Sequence, residues 1–199
     1  MNAPPRIDGV ILAAGLSSRM SRPKALLEVG TLSFLERASK TLRHAGCHRI
    51  VVVVNQAADW AAAHADRLGL EVVVNAQAES EQVDSLRLAL ERMSGDTAAV
   101  LVMPVDLPLI LPDTALAVAD AFRETGGLLI VPFHNSVAGH PVLLGRPLFS
   151  EILTTPLEEG LRSLIMLHAR DLREVKVADP GILLDIDTPD DYRRLHEQQ

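Results

Sequence analysis

The sequence predicts an α/β protein, a three-layer α/β/α sandwich around a mainly parallel sheet. Three observations carry this. Short apolar runs alternate with longer segments of helical period along the chain. The runs are continuous and rich in Val and Ile, as suits strands buried on both faces. Glycines and capping residues mark the ends of the helical segments.

Each element follows in chain order. VILA (10–13) is the first strand. In 32–45, Leu35, Ala38, Leu42 and Ala45 recur at spacings of three and four, and Gly46 stops the helix. IVVVV (50–54) is the next strand, and the Ala-rich segment 57–68 is a helix ended by Gly69. After the strand LEVVV (70–74), segment 83–93 aligns Val83, Leu86, Leu90 and Met93 on one helical stripe. AAVLVM (98–103) is a strand, and Pro112 opens a helix that closes before Gly126. Strands GLLIVPF (127–133) and HPVLL (140–144) precede a helix over 160–169, which groups Leu161, Leu164, Ile165 and His168. The last helix has Thr188 as N-cap, Pro189 at its first position and Asp190 and Asp191 in its first turn. Strands alternating with helices call for parallel pairing through crossovers.

Composition narrows the function classes. The chain has 199 residues, 48% of them apolar and 23% charged, as suits one domain over residues 1–199 with a sizeable core. Its formal charge of −7 argues against a general nucleic-acid binder, so any phosphate site must be a local group of cations. Cys47 is the sole cysteine, which rules out an internal disulfide and agrees with a reducing cytoplasm. The first apolar segment is interrupted by Gly15 and is too short for a signal peptide, and no run is long enough to cross a bilayer. A cytoplasmic protein without membrane or nucleic-acid partners is expected.

Open sheets of this kind bind ligands at the carboxyl ends of their strands. Three polar segments stand there. AAGLSSRMSRPK (13–24) follows the first strand and joins Ala13, Ala14 and Gly15 to Arg19, Arg22 and Lys24. Small residues leave backbone N–H groups uncovered for phosphate oxygens, and cations can reach over the same volume. The spacing fits neither a Walker A loop nor GxGxxG, and a strand-to-helix turn with solvated cations is the plain alternative. Asp106 lies in PVDLP after the strand 98–103, placed either to hold Mg²⁺ or to form a turn. Asp185 and Asp187 in DIDTP share one face if that segment is extended. His140, in AGHPVLL, is either a substrate contact or a turn residue, while His44, Cys47 and His48 read as structural or solvated.

Taken in order, these segments resemble a known family. LAAGLSSRMSRPKALL resembles the signature loop of the MobA-like NTP transferases, and PVDLP its metal-binding Asp segment. GHPVLL, EEGLRSLI and DIDTPDDY resemble later blocks of the molybdopterin cytidylyltransferase branch. The resemblance implies a Rossmann-like sandwich of the nucleotide-diphospho-sugar transferase type and an Mg²⁺-dependent nucleotidyltransferase. An acceptor phosphate would attack the α-phosphate of an NTP, CTP first and GTP as its counterpart, and pyrophosphate would leave. The implied acceptor is molybdopterin, with a molybdoenzyme as a further partner. Another phosphorylated acceptor, such as a sugar phosphate, and a non-catalytic nucleotide-binding accessory role are the alternatives.

By position, Leu12, Ala13, Ala14 and Gly15, with Asn75 and Ser85, would contact the nucleotide. Arg19 and Lys24 would neutralise its phosphates and act in catalysis with Asp106. Asp106 and Asp187 would hold Mg²⁺, and His140 and Asp187 would meet the substrate. The chain departs from the family pattern at four places. Ser21 and Glu81 stand on glycines, Ala78 stands on a tryptophan, and PVDLP replaces Gly-Asp-Gln-Pro.

Overall fold

Valine-rich strands buried on both faces form the centre of the protein. The computed structural model describes residues 4–15, 19–20, 22–77 and 81–197. Strands β1 (Ile7–Ala13), β2 (Glu28–Val29), β3 (Leu32–Ser33), β4 (Ile50–Asn55) and β5 (Glu71–Asn75) come first. β6 (Ala99–Pro104), β7 (Leu129–His134), β8 (Val137–Ala138), β9 (Val142–Gly145) and β10 (Leu172–Lys176) follow. The main sheet has the order β10-β7-β9-β6-β1-β4-β5, with β8 paired to β7, while β2 and β3 form a separate ribbon. β1 pairs in parallel with β4 and β6, β4 with β5, and β7 with β10. β9 runs antiparallel between β6 and β7, so the sheet is mixed but mostly parallel.

The side-chain period of two sends each strand's residues to opposite faces. On one face Ile11, Val52, Val54, Leu101 and Met103 pack with α1 (Phe34–His44), α2 (Ala61–Leu68), α4 (Pro112–Thr125) and α7 (Pro189–Glu197). On the other, Val10, Val51, Val53, Val100 and Val102 pack with α3 (Gln82–Leu90), α5 (Pro147–Thr154) and α6 (Leu161–Leu167). That is the expected three-layer sandwich. Each fully buried aliphatic side chain contributes roughly 1.5–3 kcal/mol of transfer free energy.

Local chemistry sets the helix boundaries. Ser33 caps α1 by accepting from the Glu36 N–H at 3.2 Å, and Glu36 Oε2 accepts from the Ser33 N–H at 2.7 Å. Hydrogen bonding to the Ser33 N–H holds the Glu36 carboxyl below its usual range. Helix α2 begins at Ala61 rather than at 57, because Asn55 ties the intervening residues into turns. Its Oδ1 accepts from the Ala57 N–H at 3.0 Å and its carbonyl from the Ala58 N–H at 3.1 Å. Thr188 caps α7 as expected. Its N–H donates to Asp191 Oδ2 at 2.9 Å, and its Oγ1 accepts from the Asp191 N–H at 3.2 Å. Among the described residues no helix is long and apolar enough to cross a membrane.

Candidate active site

The strand order reverses beside β1. The chain passes from β1 outward through β4 to β5, then returns to β6 on β1's other edge. A crevice opens at the carboxyl ends of two parallel strands whose connections leave in opposite directions. The ends of β1 and β6 are tied together, since the Val105 N–H donates to the Leu12 carbonyl at 3.0 Å. Asp106 therefore emerges beside Ala13, Ala14 and Gly15. The Ile186 N–H donates to the Asp106 carbonyl at 2.9 Å and brings Asp187 to the same edge.

Lys24 enters from the opposite side, on a short 3-10 turn over Lys24–Leu26 that buries Ala25 as its anchor. Its Nζ lies 3.3 Å from Asp106 Oδ2 and also donates to Asp187 Oδ1. Arg19 Nη2 stands 3.5 Å from Asp187 Oδ2. Segments far apart in sequence thus place two cations and two carboxylates at one point. The Lys24 side chain is 13% exposed and that of Asp106 22%, so their charges interact in a partly desolvated site.

These groups line a cleft of about 520 Å³. Leu12, Ala13, Ala14 and Gly15 form its floor, with Arg19, Lys24, Asp106, Asp187 and Ser85 around it. Among the described residues, a Cβ on Gly15 would meet nothing within 4 Å. A second cleft of about 420 Å³ adjoins the first, and Gln82, Asp106 and Asp187 line both. His140 and Asp185 lie in the second. His140 Nδ1 is buried without a hydrogen-bond partner among the described residues, and burial pushes the imidazole down to about 4 against the pull of the Val102 carbonyl and the Asp106 charge. The Asp185 carboxyl is raised by burial and by the negative charges of Asp106 and Asp187.

Asn75 departs from its expected place. It does not line the cleft. It is 2% exposed, and its amide donates to Ser85 Oγ at 3.1 Å while its Oδ1 accepts from the Gln77 N–H at 3.0 Å. A buried amide keeps its partners, so Asn75 supports Ser85 from below. Asn55 and Gln82, to which sequence reasoning assigns no role, also line the first cleft, as does Trp60, a single aromatic expected to pack that does rest against the core. The Asn55 amide donates to the Ala14 carbonyl at 3.3 Å and to that of Gly15 at 3.4 Å. A polar residue closing a valine strand at the sheet's carboxyl edge was the available signal. Ser21 and Ala78 lie outside the described residues.

Among the described residues no three His, Cys, Asp or Glu side chains form a closed metal cage. The Asp106–Asp187 pair nevertheless fits a hard divalent cation. Both carboxylates already face one positive charge, the Lys24 ammonium. Mg²⁺ and Mn²⁺ bind oxygen donors, and Mg²⁺ is held by one or two carboxylates together with substrate phosphates.

The profile of the MobA-like NTP transferase domain matches residues 9–174. The chain belongs to that family. Relatives of this MobA-like protein span its length. It is 29% identical over 189 residues to the molybdenum cofactor cytidylyltransferase of Escherichia coli (strain K12), covering 94% of this chain and 93% of that one. It is 27% identical over 205 residues to the nicotine blue oxidoreductase of Paenarthrobacter nicotinovorans, covering 96% and 97%. Among solved structures, Rv0371c from Mycobacterium tuberculosis H37Rv superposes with a TM-score of 0.85 at 32% identity, over 96% of this chain and 98% of that one. A manganese complex of Rv0371C from the same organism superposes with a TM-score of 0.79 at 29% identity, over 98% and 100%. The mixed, mostly parallel α/β/α fold is shared with these structures, and the family is one of nucleotidyltransferases.

Proposed function

We propose that this MobA-like protein transfers a nucleoside monophosphate from an NTP to a phosphorylated small molecule, with molybdopterin as the acceptor. The observation that carries the reading is the meeting of Lys24, Asp106 and Asp187 at the border of two adjoining clefts. One cleft has the small-residue floor and the cations that a triphosphate needs. The other leads away from the same two carboxylates, as an acceptor site must. The E. coli relative's name supports the acceptor.

Phosphoryl transfer needs positioning and charge neutralisation more than covalent chemistry. The N–H groups around Ala13, Ala14 and Gly15 hold the triphosphate. Arg19 and Lys24 neutralise its β- and γ-phosphates and stabilise the pyrophosphate as it forms. An acceptor phosphate oxygen bonds to the α-phosphorus, and the bridging bond to the β-phosphate breaks with its electron pair. The acceptor oxygen is already anionic, so no general base is needed. Asp106 and Asp187 would hold Mg²⁺, and the cation would supply neutralisation of negative charge on the reacting phosphates. His140 and Asp185 contact the acceptor in the second cleft. Residues 1–199 act as one nucleotidyltransferase domain, in the cytoplasm, and the product passes to a molybdoenzyme.

Pyrophosphate release with Mg²⁺ and each of the four NTPs, with and without molybdopterin, tests this. Release that requires both an NTP and molybdopterin supports the reading. Release with a sugar phosphate in place of molybdopterin would keep the reaction and replace the acceptor. No release under any pairing would remove the reaction.

A further inference from the structure

We infer that Glu81 and Ser85 make the nucleoside end of the first cleft select guanine. This rests on the nucleotidyl-transfer reading, which fixes which end that is. The triphosphate takes the floor at Ala13–Gly15 under Arg19 and Lys24, and its α-phosphate lies at Asp106 and Asp187. The rest of the described lining includes Asn55, Ala57 and Trp60 together with Glu81, Gln82 and Ser85. The nucleoside is assigned to this part of the lining.

The hydrogen-bonding capacity of that wall is specific. Asn75 Oδ1 accepts from the Gln77 N–H at 3.0 Å, which fixes the amide so that its Nδ2 donates to Ser85 Oγ at 3.1 Å. The Ser85 oxygen is therefore already an acceptor, which leaves its hydroxyl to donate, and Ser85, though 2% exposed, lines the cleft. Glu81 precedes the first residue of α3 and Ser85 lies four positions on, so the two sit one turn apart on a common face. The capping box of α3 sets the Glu81 side chain against the Asp84 N–H, and an ionised carboxylate, which only accepts, keeps further acceptor capacity on its two oxygens for a ligand. The wall offers one donor beside two acceptors.

Guanine presents the complement on its pairing edge, with the O6 acceptor beside the N1–H and 2-amino donors. Cytosine has one donor, and its N3 lone pair would face a carboxylate oxygen. Adenine meets the same repulsion at N1, and uracil has a single N–H between two carbonyls. Gln82 carries both a donor and an acceptor and so fits any base. A bidentate contact to a base edge discriminates by about 1–3 kcal/mol, which is roughly ten-fold or more in affinity. This reverses the cytosine preference that the sequence resemblance implies, at a position where the branch carries glycine.

Calorimetric binding of GTP, ITP, CTP and ATP to the intact protein with Mg²⁺ tests the assignment. The expected order is GTP first, by roughly ten-fold over CTP, with ITP between because it lacks the 2-amino group. Glu81→Gln should erase the GTP preference, weakening GTP and strengthening CTP, because the amide no longer repels cytosine N3 and can donate to it. CTP binding as tightly as GTP, or a GTP-to-CTP ratio unchanged in Glu81→Gln, would overturn the inference while leaving the nucleotide cleft in place. If no NTP binds, the nucleotide cleft and the base assignment fall together. Guanine-selective binding without pyrophosphate release under any acceptor would uphold the base assignment and remove the reaction.

Discussion

Lys24 Nζ lies 3.3 Å from Asp106 Oδ2, although 82 residues separate them in sequence. The contact spans the crevice where the strand order reverses, and it places a positive charge where a divalent cation would bind. In the presence of metal and nucleotide, the ammonium has anionic phosphates within reach on the cleft floor. Lys24→Ala is therefore expected to lower kcat/KM for pyrophosphate release by roughly 10²-fold or more while the protein remains folded. Steady-state kinetics alongside a thermal melt checks this. Near-normal turnover in a folded variant would show that Lys24 is not part of the reaction.

The buried Asn75–Ser85 hydrogen bond is expected to matter through stability and alignment. Asn75→Ala leaves the Gln77 N–H and the Ser85 hydroxyl without this partner and should cost about 1–3 kcal/mol. Urea unfolding measures it. A loss under about 0.5 kcal/mol would mean that water replaces the amide at no cost.

Much of this architecture is legible in the sequence, and the exceptions have physical causes. Continuous Val and Ile runs reveal β1, β4 and β6 because both faces of those strands are buried, and β5 shows the same valine run although it is an edge strand with Val74 exposed. LREVK in β10 escapes notice because an edge strand is largely exposed and alternates charge with apolar residues. Helix α5, PLFSEILT, is too short to establish a period. The site divides in the same way. Arg19, Lys24, Asp106 and Asp187 are charged residues after strands and stand out in sequence. Asn55 and Gln82 are ordinary polar residues whose place in the cleft comes only from strand order. Asn75 looks like a ligand contact, yet the fold turns it inward beneath Ser85.

His140 has a consequence for stability against pH. Burial lowers its imidazole to about 4, whereas the unfolded chain takes up the proton near the ordinary value of 6.5. Between these values the unfolded state binds more protons, so stability falls as pH drops from 6.5 towards 4. His140→Gln should flatten that segment of the stability profile. An identical slope in wild type and variant would show that His140 titrates normally in the folded protein.

Cys47 is 6% exposed, and burial pushes its thiol up to about 12. The thiolate is the reactive form, so native protein is expected to resist aromatic disulfide reagents at neutral pH. Labelling should appear only as the protein unfolds in denaturant. Rapid stoichiometric labelling of native protein would contradict the burial of this residue.

Metal-dependent pyrophosphate release by Asp106→Asn tests the central claim most directly. The substitution keeps the size of the side chain and removes the charge that faces Lys24 and the metal. The account expects release with Mg²⁺ or Mn²⁺ to fall by roughly 10³-fold at every metal concentration, with the fold intact. Release close to wild type would mean that Asp106 does not hold the metal and that transfer at this crevice works by other groups.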